Sequence, residues 1–342
     1  MRTIDWDDNK NCIKIIDQTA LPGRLILKEI CTSEALQEAI LTLRVRGAPA
    51  LGAAGAFGVA LLARTIPPMR FPDFVLELQA GAERLKRTRP TAVNLSWGVE
   101  RTLEKALAGR DLEDVTQLAL AEAKAVADDD VARCKALGGH GAKLLKDGDT
   151  VLTHCNAGRL ACVDWGTALG VVRSAVAEGK RIEVIACETR PLNQGSRITA
   201  WELTEDGIPV TLIADDMSGY VMRKGMVDAV IVGADRITED AVFNKIGTYT
   251  HSVLAKAHGI PFYVAAPLST FDFTHREKDV VIEQRDPDEL RQCGERCLAP
   301  PGVRVLNPAF DATPMANVTA VITELGVFRP PLDFSAFGQQ VR

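Results

Sequence analysis

The sequence predicts an α/β protein: a mainly helical N-terminal domain with a small β-sheet, then a doubly wound parallel-sheet domain. Three observations predict it. Up to about residue 145, after two short strand-like runs, apolar residues recur at helical spacing. From residue 150 onward, strand-length apolar runs alternate with stretches long enough for right-handed crossover helices. Those later runs are apolar without clean alternation, as strands buried on both faces are. The division predicted is a helical domain over residues 1–125 and a Rossmann-like α/β catalytic domain over 126–342.

Taken in order, residues 12–17 and 24–29 read as strands joined by the turn-like Gln18-Thr19-Ala20-Leu21-Pro22-Gly23. Ser33 is placed to cap a helix, with Glu34 in its first turn and Leu36, Ile40 and Leu43 on one face. Residues 49–64 form a small-residue helix in which Gly52, Gly55 and Gly58 suit close helix packing. Helices follow over 74–87, 93–107 and 112–145, the last broken near Gly138-Gly139. The Asp128-Asp129-Asp130 triplet reads as a solvated helix face or a helix break. Strands are expected at 150–154, 182–187, 210–214, 229–233 and 262–266, with a weaker sixth at 303–306.

Ligands of open α/β sheets collect at the carboxyl ends of the strands. Those ends carry His154-Cys155-Asn156, Glu188-Thr189-Arg190 with Gln194-Gly195, Asp215-Asp216, Gly233-Ala234-Asp235 with Asn244-Lys245, and Ser269-Thr270. A thiol such as Cys155, before a Gly-containing turn and a helix, suits a base or nucleophile; the alternative is an inert buried cysteine. A carboxylate at the mouth of a buried strand, as Asp235 is, suits a general acid; the alternatives are a helix cap or a pair with Arg236. In Arg46-Gly47-Ala48-Pro49, Pro49 fits the first helical position, leaving outward amides beside Arg46 as an anion site. Arg89 lies in a second basic loop. Lys245 offers a point charge for phosphate, although no P-loop order is present.

Composition limits the partners. The 342 residues carry a net charge of −5 and a pI near 5.7, which disfavours nucleic acid and anionic membranes but allows a local basic pocket. No run of 18 apolar residues is present, and MRTIDWDDNKNC is too acidic and polar for a targeting segment. Eight scattered cysteines read as reduced thiols of the cytoplasm, with Cys162 and Cys187 structural. Gly139-His140-Gly141 lacks a preceding strand, Cys293 and Cys297 lack a second ligand pair, and the five histidines form no metal motif. No metal and no cofactor are expected.

Several motifs then fall in a known order: Arg46-Gly47-Ala48-Pro49, Arg89-Pro90-Thr91-Ala92-Val93-Asn94-Leu95, Thr153-His154-Cys155-Asn156-Ala157-Gly158, Glu188-Thr189-Arg190-Pro191 with Gln194-Gly195, Gly233-Ala234-Asp235-Arg236-Ile237 and Asn244-Lys245-Ile246-Gly247-Thr248-Tyr249. Together they resemble the methylthioribose-1-phosphate isomerases, aldose–ketose isomerases of methionine salvage. The likeness also takes in Asp17-Gln18-Thr19 and Asn307-Pro308-Ala309-Phe310-Asp311. It implies that Cys155 is the catalytic cysteine and Asp235 the catalytic acid. It also implies that Arg46, Gly47, Ala48, Arg89, Gln194, Asn244 and Lys245 bind substrate. The family is similar to the regulatory subunits of a translation initiation exchange factor and to ribose-1,5-bisphosphate isomerases. Its members are typically homodimers that need no metal or nucleotide. Two stretches depart from the family pattern. Residues 238–243 lack the usual Asn-Gly-Asp loop, and Arg159 with Cys162-Val163-Asp164-Trp165 replaces small residues after the cysteine motif. Both leave the reaction class intact and bear on the group recognised at the sugar C5. The competing functions are isomerisation of 5-deoxyribose 1-phosphate or ribose 1,5-bisphosphate, and a non-catalytic regulatory subunit.

Overall fold

A computed structural model describes residues 1–342 except Thr91, Glu295, Ala336 and residues 338–342. Thr91, within the basic loop motif, therefore lies outside the described residues. The chain forms two compact units: Met1–Lys135 with Gly158–Gly166, and Ala136–Ala157 with Thr167–Arg342.

The first unit opens with an antiparallel sheet of β1 (Ile4–Asp7), β2 (Cys12–Ile16) and β3 (Leu27–Ile30), in that order. β1 was not expected. Its four residues alternate apolar and acidic, so Ile4 and Trp6 face the core while Asp5 and Asp7 face outward. α1 (Ser33–Leu41) is capped by Thr32, whose Oγ1 accepts the Ala35 amide at 3.2 Å, so Ser33 is its first helical residue and not its cap. α2 (Ala48–Thr65) is long and apolar enough to cross a membrane but is the buried core helix of this unit. Pro49 stands at its second position, Ala48 at its first. Around α2 pack α3 (Phe71–Arg87) and α4 (Val93–Ala106), the latter drawn close where Gly52, Gly55 and Gly98 lack side chains.

α5 (Leu112–Ala142) runs unbroken through Gly138-Gly139. A Cβ on Gly138 would stand 2.3 Å from Ser174 Oγ and 2.7 Å from the Gly170 carbonyl. That glycine serves close packing of α5 on α6 (Ala168–Ala177), which outweighs the roughly 1 kcal/mol of lost helix propensity. The acidic triplet is also not wholly solvated. The Asp130 residue is partly exposed, but its carboxyl group faces inward and accepts the Val163 amide at 2.6 Å.

The second unit is built on a sheet that the chain lays down from the middle outward. β4 (Thr150–Thr153) is followed by β5 (Glu183–Cys187), α7 (Ala200–Glu205) and β6 (Val210–Ile213) to one side. After α8 (Ser218–Arg223) the chain crosses to the other side of β4 for β7 (Ala229–Val232). A small antiparallel sheet then interrupts, made of β8 (Arg236–Ile237), β9 (Ala241–Lys245) and, later in the chain, a strand over Phe310–Pro314. α9 (Thr248–Ala257) leads to β10 (Phe262–Ala265), parallel to β7. Beyond it come the hairpin β11 (Gln292–Cys293) and β12 (Arg296–Cys297), then β13, the Phe310–Pro314 strand. β14 (Ala320–Thr323) adds parallel to β10, and β15 (Gly326–Phe328) closes the edge antiparallel to β14.

The sixth sheet position is thus filled by β14, not by residues 303–306. Leu306 is 78% exposed there, so that run buries no strand face. β4, β7, β10 and β14 are almost wholly buried, which explains their unbroken apolar character. The direction of winding reverses between β4 and β7, and that is the crevice where doubly wound sheets bind ligands.

Candidate active site

Cys155 stands two residues beyond β4, at that reversal, with a backbone φ of +64°. A non-glycine residue pays strain in this region, so its surroundings must hold it there. Two threonines do so: the Cys155 amide donates to Thr189 Oγ1 at 2.9 Å, and Thr199 Oγ1 donates to the Cys155 carbonyl at 2.6 Å. Thr189 itself has φ +66°, with its amide and the Arg190 amide both donating to Asp215 at 2.7 Å. The next residue is fixed as firmly. Asn156 Nδ2 donates to Glu202 Oε1 at 2.7 Å, and the other Glu202 oxygen pairs with Arg173 at 2.7 Å. Arg173 reaches Asp206 as well, at 2.6 Å. Every member of this chain from Asn156 to Arg173 is buried. An ion pair in such a place is retained with its hydrogen bonds complete, because breaking one partner leaves a buried charge.

The preceding residue, His154, begins another buried chain. The Ile246 carbonyl can only accept, so His154 Nε2 carries the proton and donates to it at 2.8 Å. His154 Nδ1 is then an acceptor, served by His251 Nε2 at 3.1 Å; His251 Nδ1 in turn accepts from Ser218 Oγ at 3.0 Å. Burial lowers His154 to a pKa of about 4 and His251 to about 3, so both are neutral near pH 7. Cys187 Sγ lies within 4.8 Å of both rings, and burial pushes its thiol upward. Asp215 Oδ1 is 3.8 Å from His154 Nδ1.

Asp235 follows β7, the strand paired with β4, and is half-buried. Its amide donates to the Phe243 carbonyl at 2.9 Å, while the neighbouring Arg236 guanidinium pairs with Asp272 at 2.9 Å. Gln194 lies on the loop after β5, the strand on the other side of β4. It is 6% exposed, and among the described residues its Oε1 has no hydrogen-bond partner. A buried unpaired oxygen costs about 1–3 kcal/mol, which marks a place for a ligand donor. Asn244 and Lys245 end β9 and are buried. Asn244 Nδ2 donates to Thr248 Oγ1 at 3.0 Å; Lys245 Nζ donates to the Ala309 carbonyl at 3.0 Å and lies 4.8 Å from the Phe310 ring centre. Of residues 238–243, which lack the family's Asn-Gly-Asp loop, 238–240 form the tight β8–β9 turn and Ala241–Phe243 belong to β9, which carries this pair.

The first unit holds the other predicted residues. Arg46 is buried, its Nε donating to Gln18 Oε1 at 3.0 Å. Gln18 Nε2 donates on to the Leu160 carbonyl at 2.7 Å. Gly47 caps α2 with φ +96°, and a Cβ there would stand 2.4 Å from the Ala161 backbone, so only glycine fits. Ala48 begins α2, and Arg89 is half-buried in the loop after α3. The stretch that departs from small residues after the cysteine motif also belongs here. The Val163 carbonyl accepts the Thr3 amide at 2.8 Å, and the Arg159 carbonyl accepts Thr3 Oγ1 at 2.7 Å.

The structure therefore puts Cys155, Asp235 and Gln194 at the carboxyl ends of three adjacent strands. Sequence spacing alone missed Thr199, Glu202 and His251, and gave Thr189 only as a strand-end residue. His154 and His251 are 97 residues apart, and only the strand order brings them into contact. Among the described residues, Cys293 and Cys297 remain exposed on the β11–β12 hairpin.

A Rossmann-like sheet with this furnished crevice, following a helical N-terminal unit, defines the class: the chain belongs to the Initiation factor 2 subunit family, which it matches over residues 44–330. Among solved structures, the translation initiation factor eIF-2B, subunit delta, from A. fulgidus is 62% identical, with a TM-score of 0.88 over 97% of this chain and 96% of that one. The 5-methylthioribose 1-phosphate isomerase from Pyrococcus horikoshii OT3 is 42% identical, with a TM-score of 0.91 over 99% of this chain and 95% of its own. The methylthioribose-1-phosphate isomerase of Syntrophotalea carbinolica is 54% identical over 96% of both chains. The resemblance carried by the ordered motifs thus extends over nearly the whole sequence.

Proposed function

We infer that this chain is an aldose–ketose isomerase that interconverts 5-methylthioribose 1-phosphate and 5-methylthioribulose 1-phosphate, a step of methionine salvage. The observation that carries the reading is Cys155, held in a left-handed backbone at the winding reversal, with Asp235 on the adjacent strand end.

The chemistry asks for those two groups. The 1-phosphate blocks the anomeric oxygen, so the ring cannot open as a free sugar does. Asp235, protonated, donates to the ring oxygen as the bond from that oxygen to C1 breaks. Cys155, as thiolate, removes the C2 hydrogen, giving a cis-enediol phosphate. The Cys155 thiol returns that proton to C1, and the C2 hydroxyl proton passes to Asp235 as the ketone forms. Both groups end as they began. A direct hydride shift from C2 to C1 would use Cys155 for positioning alone; solvent deuterium at C1 of the product, gained when the Cys155 thiol exchanges before returning its proton, marks the proton route. Arg46, Arg89 and Lys245 are proposed as cations for the phosphate, with Gly47, Ala48, Gln194 and Asn244 as further substrate contacts. The buried orphan oxygen of Gln194 supports its part in this, as an acceptor for a sugar hydroxyl. The protein is proposed to work in the cytoplasm as a homodimer, and its eight free cysteines agree with a reducing compartment.

The test is turnover of 5-methylthioribose 1-phosphate, 5-deoxyribose 1-phosphate and ribose 1,5-bisphosphate by the native protein and Cys155→Ser. The first substrate is expected to have the highest kcat/KM, and the serine variant to lose about 10²–10⁴-fold in kcat. Preference for another of the three would move the substrate assignment. No turnover of any would favour a regulatory subunit, the reading that similarity to the A. fulgidus eIF-2B delta subunit suggests.

A further inference from the structure

The His154–His251–Cys187 cluster is an assembled set of soft metal donors that the isomerisation does not use. We propose that it is a binding site for one thiophilic divalent cation of the zinc class, ligated by His154 Nδ1, His251 Nε2, Cys187 Sγ and Asp215 Oδ1. The two ring nitrogens already stand 3.1 Å apart. In a tetrahedral zinc site with bonds of about 2.0–2.3 Å, nitrogen–nitrogen and nitrogen–sulfur edges are about 3.3 and 3.6 Å. Cys187 Sγ lies within 4.8 Å of both nitrogens, and Asp215 Oδ1 is 3.8 Å from His154 Nδ1. The two histidines and Cys187 thus already stand close to one another, while Asp215, outside that close group, has to swing inward to complete the site.

The surroundings are those of a metal site. His154 is oriented by donating its far nitrogen to the Ile246 carbonyl, the outer hydrogen bond that metal-ligating histidines usually make. His251 has Ser218 in the same place. The Asp215 carboxylate already accepts the Thr189 and Arg190 amides, which fix its orientation while leaving lone pairs for a cation. Two histidines, a thiolate and a carboxylate give a neutral complex with a divalent ion, so burial carries no net charge penalty.

The protons balance. His251 shifts its proton from Nε2 to Nδ1, where it donates to Ser218 Oγ, and Ser218 rotates its own hydroxyl away. Cys187 gives up its thiol proton to solvent. One proton is therefore released for each ion bound, and no oxidant or reductant is involved. Binding replaces the His251–His154 hydrogen bond with two metal bonds next to Cys155, so the ion is expected to inhibit the isomerase. The binding itself does not depend on the substrate assignment.

Cobalt(II) is the probe, added to the full-length protein, because a thiolate-bound cobalt ion has an intense ligand-to-metal charge-transfer band. One equivalent per chain is expected to give that band, and excess zinc to bleach it. The band should disappear in Cys187→Ala and persist in Cys155→Ala. If Cys187→Ala does not fold, His251→Gln, which keeps the thiol, must weaken cobalt binding at least tenfold. A band that vanishes with Cys155 and survives the loss of Cys187 would assign the metal to the catalytic thiol and overturn the site. Absence of the band in the native protein would overturn it equally.

Discussion

Ring opening is proposed to turn on Asp235. The neighbouring Arg236 guanidinium pairs with Asp272. Asp235→Asn keeps the shape and loses the transferable proton. It is expected to lower kcat by about 10²–10⁴-fold with KM within a few-fold, in steady-state assays. A variant that retains most of its kcat, or that loses binding alone, would make Asp235 a positioning group. The strand-end positions of Cys155 and Asp235 were both legible in the sequence, because a polar residue ending an apolar strand is a local pattern. The residues that hold Cys155 in its backbone conformation were not. Thr189 and Thr199 lie 34 and 44 positions downstream, and nothing but the pairing of β4 with β5 and the packing of α7 sets them against it.

At the scale of elements, the parallel strands could be read because full burial leaves them uninterrupted apolar runs. β14 was harder, since the equally apolar residues 303–306 precede it and only the sheet decides between them. Gly138 of α5 misled for a physical reason: propensity marks it as a break, while packing on α6 demands it. The same helix contains Asp130, whose burial raises its pKa to about 7. A carboxyl raised in the folded state adds stability below its unfolded value near 4. That stability is lost as pH rises through the folded value. Urea unfolding should accordingly show Asp130→Asn gaining midpoint over the native chain at pH 8, with the gain shrinking toward pH 4. A constant difference across that range would mean that Asp130 is not the titrating group.

For the whole molecule, length and charge limited the partners, but no sequence pattern marks the surface a second copy would cover. For the proposed homodimer we suggest one on the second unit. Leu212, Met217, Tyr220, Met226, Tyr249 and Val253, from β6, α8, α9 and the turns beside them, are each 41–63% exposed. Large apolar side chains gathered on neighbouring elements suit a self-complementary interface. Tyr220→Lys combined with Val253→Lys is expected to shift the protein from dimer to monomer in sedimentation equilibrium. A native chain that already sediments as a monomer would end the homodimer proposal.

The excursion at Gly158–Gly166 limits how the chain can be taken apart. Thr167 donates its amide to the Ala157 carbonyl at 3.0 Å, so the chain leaves and re-enters the second unit through adjacent positions. What it carries away fills the first unit: the Leu160 and Val163 carbonyls satisfy Gln18 and the Thr3 amide there. Neither unit is therefore a cassette. Cutting the gene after codon 135 would strand the apolar Leu160, Cys162 and Val163 on one fragment and leave unmet donors on the other. Swaps between relatives, and evolutionary recombination, would have to move both pieces of each unit together.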